Sequence, residues 1–166
     1  MVTLRPANWE DVINVCGAMN SCGVEYIITG GFAFIANKIK ESTFNIDISI
    51  FNNDTNKKKI CEAFKGLDGF KTFEINLCNK WPKHTTRIVN DYIIDIHSYL
   101  DMDNWEYLLN NTNYFLCRNT TIPILTTLGL FGYKSGYIEK DLNNKKLIKA
   151  FLELLNDTSQ YHIELS

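Results

Sequence analysis

The sequence has almost no net charge, no long apolar run and no paired cysteines, and each lack removes a class of function. Lysine and arginine number 17 against 19 aspartates and glutamates, a formal charge of −2, with an isoelectric point near 5.9. So balanced a chain carries no electrostatic footprint for long nucleic acid. Lys57-Lys58-Lys59 is its one tight basic run, and it fits the solvated face of a helix. No apolar stretch is long enough to span a bilayer, and residues 1–6 lack a signal peptide's apolar segment. The five cysteines, Cys16, Cys22, Cys61, Cys78 and Cys117, are odd in number and form no Cys-x-x-Cys pair. That argues against a structural zinc and for free thiols in a reducing compartment, so a cytoplasmic location away from membranes is expected. Repeats, low-complexity tracts and linkers are missing too, so residues 1–166 read as a single domain, long enough for one core.

What is present is the composition of an ordinary globule, 45% hydrophobic and 22% charged. Periodicity predicts an amphipathic helix over 8–21, with Gly23 as its left-handed cap. A strand is expected over 24–29, a short helix over 32–39 and a strand over 44–51. The next helix, Asp54–Lys65, starts on capping-type residues and buries Ile60, Cys61 and Phe64. Strands follow at 70–78, 85–89 and 92–98, the last two joined by Asn90-Asp91. Residues 103–110 read as a short helix, and 114–125 as extended segments interrupted at Pro123. A final helix over 141–155 carries the stripe Leu147, Ile148, Phe151, Leu152 and Leu155.

The stretch from Gly30 to Asp47 says most about chemistry. A strand ends on Gly30-Gly31, a short helix follows, and Asn45-Ile46-Asp47 sits inside the next strand. Glycines at a helix start let backbone N–H groups approach phosphate oxygens, and the helix dipole favours negative charge there. An aspartate on the following strand can hold the divalent cation that phosphates need. Strand alternation points Asn45, Asp47 and Ser49 to one face and Ile46, Ile48 and Ile50 to the other. Ile93, Asp95 and His97 likewise share a face, so two adjacent strands can gather position 45, Asp47 and Asp95.

This arrangement resembles the nucleotidyltransferase superfamily, whose pattern is apolar-Gly-Gly/Ser, about ten to thirteen residues, then Asp-apolar-Asp/Glu. Thirteen residues separate Gly31 from Asn45, and Thr43 also fits. Asp95, within Tyr92-Ile93-Ile94-Asp95-Ile96-His97, stands where a third carboxylate is expected. Ile122-Pro123-Ile124-Leu125-Thr126, Lys134 and Lys140-Asp141 match the stretch that closes the nucleotide site in small members related to abortive-infection toxins and lincosamide-modifying enzymes. The resemblance implies a mixed twisted sheet with flanking helices, of α/β (α+β) class, and a helical C-terminal segment. It also implies transfer of a nucleoside monophosphate from a nucleoside triphosphate to a hydroxyl acceptor, small molecule or macromolecule. Gly30, Gly31, Lys134 and Lys140 would then bind the nucleotide. Position 45, Asp47 and Asp95 would hold Mg²⁺, two ions in the family, with Asp47 and Asp95 catalytic and Asp95 assisting deprotonation of the acceptor. The chain departs from the family at one position. Asn45 stands where the first metal-binding aspartate belongs, and an amide offers a carbonyl oxygen without charge.

Other readings stay open. A Gly-Gly pair is often a plain turn, and an aspartate on a strand's wet face needs no site. Asp141 suits a helix N-cap, Lys134 a solvated helix, and His97 a strand end, although a neutral imidazole can also act as a base. The main alternative to an enzyme is a pseudo-nucleotidyltransferase that binds nucleotide or a partner, as in toxin–antitoxin or phage-defence pairs. In an unrelated α/β protein, Asp47 and Asp95 would lie far apart.

Overall fold

The computed structural model describes residues 3–39, 42–67, 84–99 and 102–135, together with Lys149 and Glu153. Six strands form one sheet: β1 (Tyr26–Thr29), β2 (Asn45–Phe51), β3 (His84–Val89), β4 (Tyr92–Tyr99), β5 (Thr112–Cys117) and β6 (Thr120–Leu125). Their order is β3-β4-β2-β1-β6-β5. The sheet is mixed. β2 runs parallel to β4 and β1 parallel to β6, while β1–β2, β3–β4 and β5–β6 are antiparallel. Five helices accompany it among the described residues: α1 (Trp9–Ser21), α2 (Gly30–Ala36), α3 (Asp54–Lys65), α4 (Met102–Asn110) and α5 (Thr127–Ser135).

Alternation along the central strands builds the core. Ile46, Ile48 and Ile50 of β2 are fully buried, as are Ile94 and Ile96 of β4 to within 1%. α1 packs Val12, Val15, Cys16 and Met19 inward, lying against β6 and α3. Trp9 meets Phe32 edge-on, with centroids 5.0 Å apart, and Trp105 of α4 stacks on Phe51 at 5.9 Å. Burial pushes the Cys16 thiol up to about 12, so it behaves as a small core hydrophobe.

Local chemistry sets the element ends. Asn8 caps α1: its side chain accepts from the N–H groups of Glu10 and Asp11, and the Asp11 carboxylate accepts from the Asn8 N–H at 2.8 Å, a capping box. Arg5 grips the same carboxylate with two nitrogens at 2.6 and 2.8 Å. It also pairs with Asp91 at 3.0 Å and lies over the Tyr92 ring, so it ties α1 to the β3–β4 turn. Asn56 of α3, 1% exposed, accepts from the Glu25 N–H and donates to the Glu25 and Phe51 carbonyls. Gly23 follows α1 at φ +64°, the left-handed cap expected there.

The structure differs from the sequence reading in three places. α2 begins on Gly30 itself and ends at Ala36, two residues ahead of the expected start. Pro123 does not interrupt an extended segment but lies buried inside β6, opposite Tyr114. Proline gives no N–H to a ladder, and β6 meets β1 only briefly, at Ile28 and Ile124. Residues 114–125 are instead a hairpin, turned by Arg118 and Asn119 at φ +46° and +65°, the sign a two-residue type I′ turn requires. The strand expected at 70–78 lies outside the described residues. So does the helix expected over 141–155, apart from Lys149 and Glu153, which pair at 3.7 Å.

Candidate functional site

β1 ends at a sharp turn. Gly30 takes φ +53°, a left-handed conformation that costs a side-chain-bearing residue roughly 1–2 kcal/mol. A Cβ at Gly30 would collide with the Asp47 carboxylate, and one at Gly31 with Thr43. The glycine pair therefore lets the start of α2 press against β2, and the Gly31 N–H donates to Asp47 Oδ2 at 3.2 Å. That distance places Asp47, on the middle of β2, directly beneath the turn.

Parallel pairing of β2 with β4 sets Asp47 beside Asp95 and Ser49 beside His97. Antiparallel pairing with β1 sets Thr29 beside Asp47. One face of the sheet thus presents Asn45, Asp47, Asp95 and His97, each partly buried. Its floor continues into a buried hydroxyl pair, Thr29 and Ser49, at 3.3 Å.

The Asn45 amide joins the two carboxylates. Its Nδ2 donates to Asp95 Oδ2 at 2.6 Å and to Asp47 Oδ1 at 3.1 Å. His97 Nε2 lies 3.5 Å from the same Asp47 oxygen. Two carboxylates side by side repel unless something positive or proton-donating lies between them, and here the two N–H bonds of one amide fill that place. Counting only His, Cys, Asp and Glu, no group of three among the described residues is arranged to hold a metal ion; the third member of the cluster is neutral.

The residues that sequence reasoning gathered do meet: Gly30, Gly31, Asn45, Asp47 and Asp95 form one contiguous patch. Lys134 falls in α5, and its side chain lies outside the described structure, as do Lys140 and Asp141 altogether. Sequence reasoning did not foresee that Asn45 would bridge the aspartates, or that Thr43 would close on Gly31. A donor amide two residues before an aspartate was the available signal for the bridge, since i and i+2 share a strand face.

The donor set fits one divalent cation better than two. Rotating the Asn45 amide by half a turn presents Oδ1 to the position its nitrogen now occupies, giving two carboxylates and one neutral carbonyl. That is enough oxygen for a Mg²⁺ that keeps several waters, but it supplies one negative charge fewer than three carboxylates would.

No protein-family model matches the chain, and no curated protein matches it. A solved structure similar to it is that of a candidate nucleotidyltransferase from Thermotoga maritima, with a TM-score of 0.55 and 16% sequence identity. The similarity covers 93% of this chain and 96% of that one. At that identity the likeness establishes the fold: a mixed sheet with flanking helices, α+β, of the nucleotidyltransferase-like kind.

Proposed function

We propose that this chain binds a metal-bound nucleoside triphosphate at the Gly30–Asp47–Asp95 patch and transfers its nucleoside monophosphate to a hydroxyl, releasing pyrophosphate. The observation that carries the reading is the convergence of Asp47 and Asp95 on a single Asn45 nitrogen, directly below a glycine turn. Carboxylates from separate strands have no structural need to meet, whereas a cation needs them within a few ångströms of one point. When bound, Mg²⁺ would neutralise phosphate charge and activate the acceptor oxygen. Asp47 and Asp95 would hold it, with Asn45 as a neutral third ligand through Oδ1. Gly31, whose N–H is held by Asp47, would offer that donor to a phosphate oxygen as Asp47 turns to the cation. Lys134 and Lys140 would supply point charges to the phosphates. Asp95 would take the acceptor's proton.

A second reading is favoured by Asn45 alone. With its amide satisfying both aspartates, the cleft is stable without metal, as suits a nucleotide- or partner-binding module that performs no transfer. Calorimetric titration with each nucleoside triphosphate, in Mg²⁺ and in EDTA, tests the first reading on the native chain and on Asn45→Asp. Mg²⁺-dependent binding that strengthens in the variant is expected. Failure of both forms to bind any nucleotide would sink it. Binding by both, with pyrophosphate released only by the variant, would select the binding module.

A further inference from the structure

Far from the aspartates, β5 closes one end of the sheet, and among the described residues it pairs with β6 alone. Tyr114, Phe115 and Leu116 are exposed along it, and Thr112–Cys117 holds no charge and no proline to discourage a further strand. We propose that this edge is a homodimer interface, in which β5 of a second copy adds antiparallel across a two-fold axis at Tyr114 and joins the two sheets into one.

The hairpin decides which backbone groups face outward. Cys117 and Thr120 flank the two-residue turn Arg118-Asn119, and residues so placed form a hydrogen-bonded pair. Such pairs alternate along an antiparallel ladder, so Cys117, Phe115 and Asn113 spend their N–H and C=O groups on β6. Two observations fix the phase. Asn111, next in that series, accepts from the Thr126 N–H at 2.8 Å. Tyr114 stands opposite Pro123, a position where the absent N–H costs the pair no bond. The N–H and C=O groups of Thr112, Tyr114 and Leu116 therefore point away from the sheet.

Symmetry then picks the partner and the register. A two-fold axis normal to the sheet keeps each side chain on its face, so one residue must lie opposite its own copy. With Tyr114 on the axis, Thr112 meets Leu116 of the partner subunit and every outward group is bonded. Centring on Phe115 would leave Thr112 beside the partner's turn, and centring on Asn113 would leave Leu116 beyond the end of the partner's strand. Side chains agree with this choice. Tyr114 and Leu116 share a face at 63% and 76% exposed, and pairing gives each an apolar neighbour with no like charges opposed. An edge without charge selects no acidic or basic partner, whereas its own copy matches it bond for bond. Arg118, the nearest charge in sequence, lies past the paired stretch and is held by Glu10. Tyr114 also lines a cavity of about 210 Å³ with Trp105 and Leu109 of α4, which extends the apolar surface beside the axis. A join of this size suits a weak, reversible dimer.

Sedimentation equilibrium of the full chain, from about 5 to about 500 µM, should show the mass rising to twice the 19.2 kDa of one chain and stopping there, because the axis closes. Amide hydrogen exchange at the two ends of that range should slow at least about fivefold at Thr112, Tyr114 and Leu116 as concentration rises, and stay unchanged at Asn113, Phe115 and Cys117. That alternation needs no variant. Tyr114→Lys and Tyr114→Glu, each alone, should weaken association at least about tenfold by opposing like charges, and an equal mixture of the two should associate again. A native chain that stays monomeric throughout overturns the proposal, as does growth beyond two copies. A dimer whose Thr112, Tyr114 and Leu116 amides exchange at the monomer's rates overturns it and puts the interface elsewhere. Folded Tyr114 variants that dimerise as the native chain does, or whose mixture stays monomeric, overturn it as well.

Discussion

At the scale of single residues, Asn45 decides how the site behaves when empty. An amide placed between two carboxylates does for them what a cation or a shared proton would do, and it does so at every pH. Replacing it with aspartate removes two N–H bonds and adds a third negative charge. In EDTA, Asn45→Asp should therefore unfold more readily than the native chain, by about 1–3 kcal/mol. Adding millimolar Mg²⁺ should recover most of that loss. Thermal melting of both proteins with and without the cation checks this, and a variant as stable as the native chain in EDTA would contradict it. Part of this was legible in the sequence. The faces of Asn45, Asp47, Asp95 and His97 follow from alternation alone, and the meeting of position 45, Asp47 and Asp95 from the resemblance to nucleotidyltransferases; that His97 joins them follows from neither. The Asn45–Asp47 half of the bridge had a signal in its i, i+2 spacing; the Asp95 half had none, because it depends on the register of two strands that no local pattern encodes.

At the scale of elements, the start of α1 is held by charge. Burial would raise the Asp11 carboxyl, but the Arg5 fork, the Asn8 N–H and the Arg5 charge outweigh it and hold the carboxyl below its ordinary value. A group with a depressed folded-state pKa stabilises the fold above its unfolded value, and that contribution disappears as pH falls through the folded one. Asp11→Asn should thus cost about 1 kcal/mol at neutral pH, a modest figure because Arg5 is partly solvated. The difference from the native chain should close as pH drops below about 4. Denaturant melts at pH 7 and pH 3 measure it, and an unchanged gap at both would refute the sign. Elements were the most readable level. The helix Asp54–Lys65 and the strands around Asp47 and Asp95 follow from periodicity and capping residues nearly to the residue. The β5–β6 hairpin escaped because its turn is Arg118-Asn119. It lacks the glycine that usually marks a positive-φ pair, and a proline sits in the strand that follows.

At the scale of the whole molecule, β5 ends the described sheet with little to protect it. Tyr114, Phe115 and Leu116 are 63%, 46% and 76% exposed, and the strand Thr112–Cys117 contains no charge and no proline. Edge strands usually carry one or the other against unwanted pairing. Leu116→Lys should lower concentration-dependent light scattering while leaving the melting temperature within a degree or two, and equal scattering by both proteins would show that the edge is not the adhesive surface. Among the described residues, no helix is long and apolar enough to cross a membrane. The central pairing of the sheet has a consequence in time as well as in space. Asn45 and Asp95 are fifty residues apart in sequence, and β2 joins β4 in parallel, the arrangement that cannot form by a simple hairpin. The hairpins β3–β4 and β5–β6 close over short loops, while the β2–β4 ladder must wait for a long one, at a greater cost in chain entropy. The chain therefore assembles its cluster of ligands only when β2 and β4 have met across the long stretch between them, and an intact site marks a molecule in which that non-local pairing has formed.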